Sequence, residues 1–177
     1  MTSTTAITPK AKPGPGHSTA SSRDVLGGAQ NHCFGCGPAN RHGMHLRFSL
    51  DWDAATATAS FKLTRRFEGP PGHVHGGIIA TLLDEAMGKV NKLKDVVALT
   101  RQMEIEYLRA VPLRQSLVVV GKAVGVDGRK HTNTAEIRNA SGEVLARGTG
   151  LFIAIDPLTM FAKYGQPGMR KPDTRGK

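Results

Sequence analysis

Gly69-Pro-Pro-Gly-His-Val-His75-Gly76-Gly77 runs straight into Ile78-Ile-Ala-Thr-Leu-Leu-Asp84-Glu85-Ala-Met87. A loop rich in Gly and Pro brings a histidine and two glycines to the start of an apolar segment, and a carboxylate follows two helical turns in. The first turn of a helix has unpaired backbone N–H groups and a partial positive charge, so it can hold a developing oxyanion. An acid farther along the same helix can act as a base or a nucleophile. Together these residue types point to addition to a carbonyl group.

The two adjacent acids separate on helical geometry. At about 100° per residue, the apolar stripe centres near Ala86 and Ile79. Asp84 falls on the edge of that stripe, where its charge is costly unless something uses it. Glu85 falls toward the polar side, four residues before Lys89 in the favoured order, which reads as a helix-surface ion pair. Asp84 is the candidate for chemistry, with Glu85 kept as a substrate-binding candidate. His75 alone reads as a loop histidine satisfied by a carbonyl. Gly76 and Gly77 strengthen it, because glycines let a ligand carbonyl approach backbone N–H groups closely. The same two glycines also read as a tight turn into the helix. Met87, Val90 and Leu93 are candidates for lining a substrate pocket.

Cys33-Phe-Gly-Cys36 with His42 and His45 reads Cys-x2-Cys-x5-His-x2-His. The cysteine half suits zinc, but the histidines are closer together than is usual and no second Cys pair follows. The expectation is small buried residues at a glycine-rich turn, with no metal and no cofactor.

The elements that must position these groups are one helix and a set of strands. Met44 to Asp51 and Thr56 to Lys62 read as strands, and Gly77 to Asn91 as the helix. The helix has an apolar stripe of Ile79, Leu82, Leu83, Ala86, Met87 and Val90. Leu99 to Arg109 alternates, with Met103, Ile105 and Tyr107 on one face. Leu117 to Val126, Lys130 to Asn139 and Val144 to Ile155 are three further strands, joined by Asp127-Gly128 and Ser141-Gly142, which suit hairpin turns. Tight turns make the pairing antiparallel. A single apolar helix must then be wrapped by the sheet. With no second long helix, the uncovered face favours a homodimer.

The 177 residues are enough for one domain, and no run reaches the length of a membrane span. The net charge of +10 includes +3 in residues 1–23 and +4 in residues 157–177. These segments read as disordered basic tails flanking a folded part at 24–156. With Trp52 the only tryptophan, there is no stacking platform for nucleic acid. The N-terminal stretch lacks a hydrophobic block, and its prolines and glycines spoil a transit helix, so the cytoplasm is the expected compartment.

Cys33-Phe-Gly-Cys-Gly-Pro-Ala-Asn40, the His75-Gly-Gly…Asp84 segment and Ile105-Glu-Tyr-Leu-Arg-Ala-Val-Pro112 resemble the phenylacetate-type branch of the hotdog acyl-CoA thioesterases over about residues 31–156. The resemblance implies an α+β hotdog fold, in which one long central helix is wrapped by a five- or six-stranded antiparallel sheet. It implies a homodimer, which in relatives often pairs into a homotetramer, with each active site at a subunit interface. By the same likeness, Asp84 is the catalytic carboxylate, Gly77 the amide that binds the thioester oxygen and His75 the motif histidine. Thr100 stands where related enzymes place a Thr or Ser that positions the water or the carboxylate, reaching in from the other subunit. The implied reaction is acyl-CoA hydrolysis in fatty acid metabolism. A hydratase-type hotdog chemistry and a non-catalytic acyl-CoA binder are the alternatives.

Overall fold

The computed structural model describes residues 28–161. The expected tail at 1–23 and residues 162–177 of the expected tail at 157–177 lie outside the described residues, and 157–161 are helical. Six strands form one antiparallel sheet: β1 (Ser49–Asp51), β2 (Thr56–Phe61), β3 (Ala98–Tyr107), β4 (Leu117–Asp127), β5 (Lys130–Arg138) and β6 (Val144–Ala154). Their order across the sheet is β1-β2-β4-β5-β6-β3. The turns at Asp127-Gly128 and Ser141-Gly142 join β4 to β5 and β5 to β6, and both glycines take a positive φ, as those hairpins require.

Helix α1 spans Gly76–Val90 and packs against β2, β3, β4, β5 and β6. Its buried residues are Ile79, Leu82, Leu83, Ala86, Met87 and Val90, the stripe expected from the sequence. Ile79, Leu82, Leu83, Ala86 and Met87 meet Ala59, Phe61, Leu117, Val119, Ala135, Ile137, Ala146 and Phe152 from the sheet in one core, while Val90 packs with Ala57 and Leu93 in a smaller cluster. Burying each large side chain contributes about 1.5–3 kcal/mol, and this fixes the helix against the strands more firmly than its own propensity would. The C-terminal end is tied by a buried polar contact. Asn133 of β5 donates its Nδ2 to the Met87 carbonyl and to Asn91 Oδ1, both at 2.9 Å. A left-handed Asp95 then turns the chain toward β3.

The first strand is shorter than Met44–Asp51. The Met44 N–H bonds the Phe34 carbonyl and the Leu46 N–H bonds the Gly35 carbonyl, while His45 between them has φ 53°. These residues are used to hold the cysteine loop instead of a neighbouring strand. At the opposite edge, β3 is ten residues long and pairs with β6 alone among the described strands. Leu99 and Tyr107 are exposed there. The last described element is a short helix, α2 (Pro157–Phe161).

Candidate active site

His75 is the N-cap of α1, held by backbone bonds on the loop that precedes it. The His75 N–H donates to the Phe67 carbonyl and the Val74 N–H to the Val111 carbonyl. The Gly77 N–H donates to His75 Nδ1 at 3.0 Å. Because Nδ1 accepts, the ring proton of the neutral imidazole sits on Nε2. Tyr107 donates its hydroxyl to the Gly76 carbonyl at 3.3 Å. His75, Gly76 and Gly77 are therefore gathered at the helix start, and the Gly77 amide is engaged by its own cap.

Asp84 lies seven residues on, about 10 Å along the axis from that amide at about 1.5 Å per residue. It opens into a cleft of about 300 Å³ whose wall also includes Asn31, Cys33, Cys36, Glu85 and Thr100. The Thr100 hydroxyl donates to Asp84 Oδ1 at 2.6 Å. A break in the β3–β6 register falls between Thr100 and Gln102, next to this contact, in keeping with the frequent placement of bulges beside active sites. The bond is made within one chain, so no second subunit is needed to bring a hydroxyl to this acid.

The carboxyl of Asp84 is pushed above the usual carboxylate range, chiefly by burial. The Thr100 hydroxyl pulls it back by stabilising the charged form, and the nearby Glu85 charge pushes it up. Removing the hydroxyl leaves burial and Glu85 unopposed. In Thr100→Val, any rate that needs ionised Asp84 should have its acidic limb at higher pH than wild type. A kcat-against-pH profile checks this, and an unmoved limb would count against the contact.

Glu85 is not on the solvent face. Its ion pair with Lys89, at 3.6 Å, has side chains only 15% and 18% exposed. The loop Cys33–Gly37 covers this side of α1, which periodicity within the helix could not disclose. Cys33 donates its thiol to Glu85 Oε1 at 3.0 Å, and Lys89 donates to Cys36 Sγ at 2.8 Å. The Cys36 thiol donates toward Cys33 and lowers the Cys33 thiol to about 7. The same bond, with burial, pushes Cys36 up. Met87 is fully buried in the core and takes no part in lining the cleft, and the same holds for Val90 and Leu93. The apolar wall comes from Val96, Val97, Leu99 and Phe152, with Phe161 from α2.

The arrangement provides two half-sites, an amide at a helix start and a partly buried carboxylate with a hydroxyl partner. Residues 71–146 match the family profile of the thioesterase superfamily. Acyl-coenzyme A thioesterase THEM4 from Mus musculus is 35% identical over 91 residues, covering 51% of this chain and 39% of that protein. The chain thus matches about two-fifths of the length of that curated relative. A crystal structure described as a thioesterase superfamily protein shares 37% identity at a TM-score of 0.65, covering 69% of this chain and 60% of that one. The structure of smu.793 from Streptococcus mutans, bound to acetyl CoA, has 22% identity and a TM-score of 0.58 over 62% of this chain and 88% of its own, which shows the fold alone. The chain has the hotdog fold, one long helix wrapped by a six-stranded antiparallel sheet, and its residues 71–146 are similar to the thioesterase superfamily.

Proposed function

We propose that the protein hydrolyses acyl-CoA thioesters to a free acid and CoA. The observation that carries this reading is Asp84, a carboxylate drawn out of bulk water into a cleft and aimed by Thr100. Its raised pKa makes it a better proton acceptor than an exposed aspartate at neutral pH, or a less solvated nucleophile. The thioester oxygen would take the place of His75 Nδ1 on the Gly77 amide, where the helix start favours negative charge. The acetyl CoA in the Streptococcus mutans structure is a fold-level analogy for the substrate class. The motif resemblance favours the phenylacetate-type branch.

The two half-sites of one chain are about 10 Å apart along the helix, too far to act on one carbonyl. A second copy would solve this by presenting its own helix start to Asp84. The exposed β3 edge, with Leu99 and Tyr107, supports such a homodimer. A dimer of dimers remains the extended form of this reading. The two free cysteines fit a cytoplasmic setting, where thiols stay reduced. Among the described residues no helix is long and apolar enough to cross a membrane.

A panel of acyl-CoAs of graded chain length and aromatic character, with release of free thiol as the readout, tests the function. Turnover of at least one member well above the uncatalysed rate is expected. Tight binding across the panel with no thiol released would leave an acyl-CoA binder and overturn the enzyme reading.

A further inference from the structure

Thioester hydrolysis as proposed leaves the cysteine loop unused, although it forms part of the cleft wall. Its geometry is specific. Asn31 Oδ1 accepts the Cys33 N–H at 2.8 Å, and the Gly37 N–H closes the turn on the Cys33 carbonyl at 2.9 Å. A Cβ at Gly35 would come within 2.3 Å of Glu85 Cγ, so only glycine lets the loop lie this close to α1. A Cβ at Gly37 would come within 2.4 Å of the Cys33 nitrogen. The loop is thereby pressed onto the helix with both sulfurs facing one carboxylate.

One ligand atom from each of Cys33, Cys36 and Glu85 lies within 4.8 Å of the other two. Small buried residues filling a turn have no need of a mostly buried carboxylate between them. Two sulfurs at Cys-x-x-Cys spacing and one carboxylate oxygen form a donor set suited to a borderline-soft, tetrahedral divalent ion, and a poor one for calcium or magnesium. Metal bonds of about 2.0–2.3 Å place tetrahedral ligand atoms about 3.3–3.8 Å apart. Side-chain adjustment of about 1 Å therefore closes the set. Lys89 completes the charge balance, since two thiolates and a carboxylate offset a divalent ion and one ammonium. Its bond to Cys36 Sγ is the kind of outer N–H donor that steadies a ligand.

We propose that Cys33, Cys36 and Glu85 form a zinc site on the cleft wall, with its fourth position open to solvent in the cleft. The histidines that sequence spacing offered are placed elsewhere. His42 Nδ1 meets Arg66 at 3.2 Å, and His45 Nε2 meets the Asn40 carbonyl at 2.6 Å. The third ligand comes instead from α1, far along the chain. The ion would clasp the loop to the helix one residue from Asp84.

The experiment uses the full chain, stripped with a chelator under reducing conditions and titrated with cobalt(II) as a coloured stand-in for zinc. The expected result is one equivalent bound, with thiolate-to-cobalt charge-transfer bands in the near ultraviolet and strong visible bands of a tetrahedral ion. Zinc should abolish both. Cys33→Ser and Cys36→Ser should lose the charge-transfer intensity in whole or in part, and Glu85→Gln should bind at least about tenfold more weakly. If the cysteine variants fail to fold, the wild type still decides the matter, because zinc should protect both thiols from a thiol reagent. Absence of the bands in folded wild type, unchanged bands in the variants, unprotected thiols, or a Cys33–Cys36 disulfide formed in place of metal uptake would each overturn the site. None of these readouts involves thioester turnover, so this site and the proposed hydrolysis stand or fall separately.

Discussion

Asp84→Asn should lose thioester hydrolysis by about 10²–10⁴-fold in kcat, the usual range for removing a general base, with little change in KM. Asparagine keeps the shape and still accepts the Thr100 hydroxyl, so the loss reports the missing charge and not a rearranged cleft. Glu85→Gln should retain far more activity, because its carboxylate is turned to Cys33 and Lys89. Wild-type turnover in Asp84→Asn, with loss in Glu85→Gln, would transfer the role to Glu85. The stability of the Asp84 variant gives a second reading with a definite sign. Burial raises this carboxyl, so the native state binds its proton more tightly than the unfolded chain does. That contribution to stability is full below the ordinary carboxylate range and is lost as pH rises through the raised value. At neutral pH the wild type therefore carries an unrelieved buried charge, and the neutral amide does not. Thermal melting should find Asp84→Asn at least as stable as wild type near neutrality. Its advantage should vanish in acid, once Asp84 is protonated in both states. A residue that stabilises the fold and has no part in the reaction would give the opposite ordering.

The helix shows how far local patterning reaches. The stripe from Ile79 to Val90 and the limits of α1 are set by 3.6-residue periodicity and a glycine-rich loop, both visible in the residues themselves. The hairpins at Gly128 and Gly142 follow from turn chemistry for the same reason. Glu85 and Met44 mark the limit. Each has a complete local explanation, as a helix-surface charge and as part of a strand. Each is diverted by the same distant object, the loop at Cys33–Gly37 lying across α1. No pattern within either segment registers a loop that arrives from elsewhere in the chain. Thr100 is legible only through the family resemblance. Alternation in β3 gives it no special place, and neither its bond to Asp84 nor the register break beside it can be read within the strand, since one depends on α1 and the other on the pairing with β6.

Mixing two inactive variants should restore activity if the reacting carbonyl sits between chains. Gly77→Pro removes the amide at the helix start while keeping a residue that the first turn of a helix tolerates. It should cost about 10²–10³-fold in kcat, the loss of one oxyanion donor. Asp84→Asn removes the acid. A mixed dimer of the two pairs an intact Gly77 from one chain with an intact Asp84 from the other, and its second site has neither. When the variants are coexpressed in equal amounts, half of the dimers are mixed and half of their sites are whole. About a quarter of wild-type turnover should then return. The distance along α1 makes this outcome hard to reach in any other way, because one chain cannot bring its own Gly77 N–H and Asp84 to the same carbonyl. Separate tags on the two variants verify that mixed dimers form. Mixed dimers without recovered turnover would place both groups, or a different oxyanion donor, within a single chain. A monomer in solution would remove the interface site altogether.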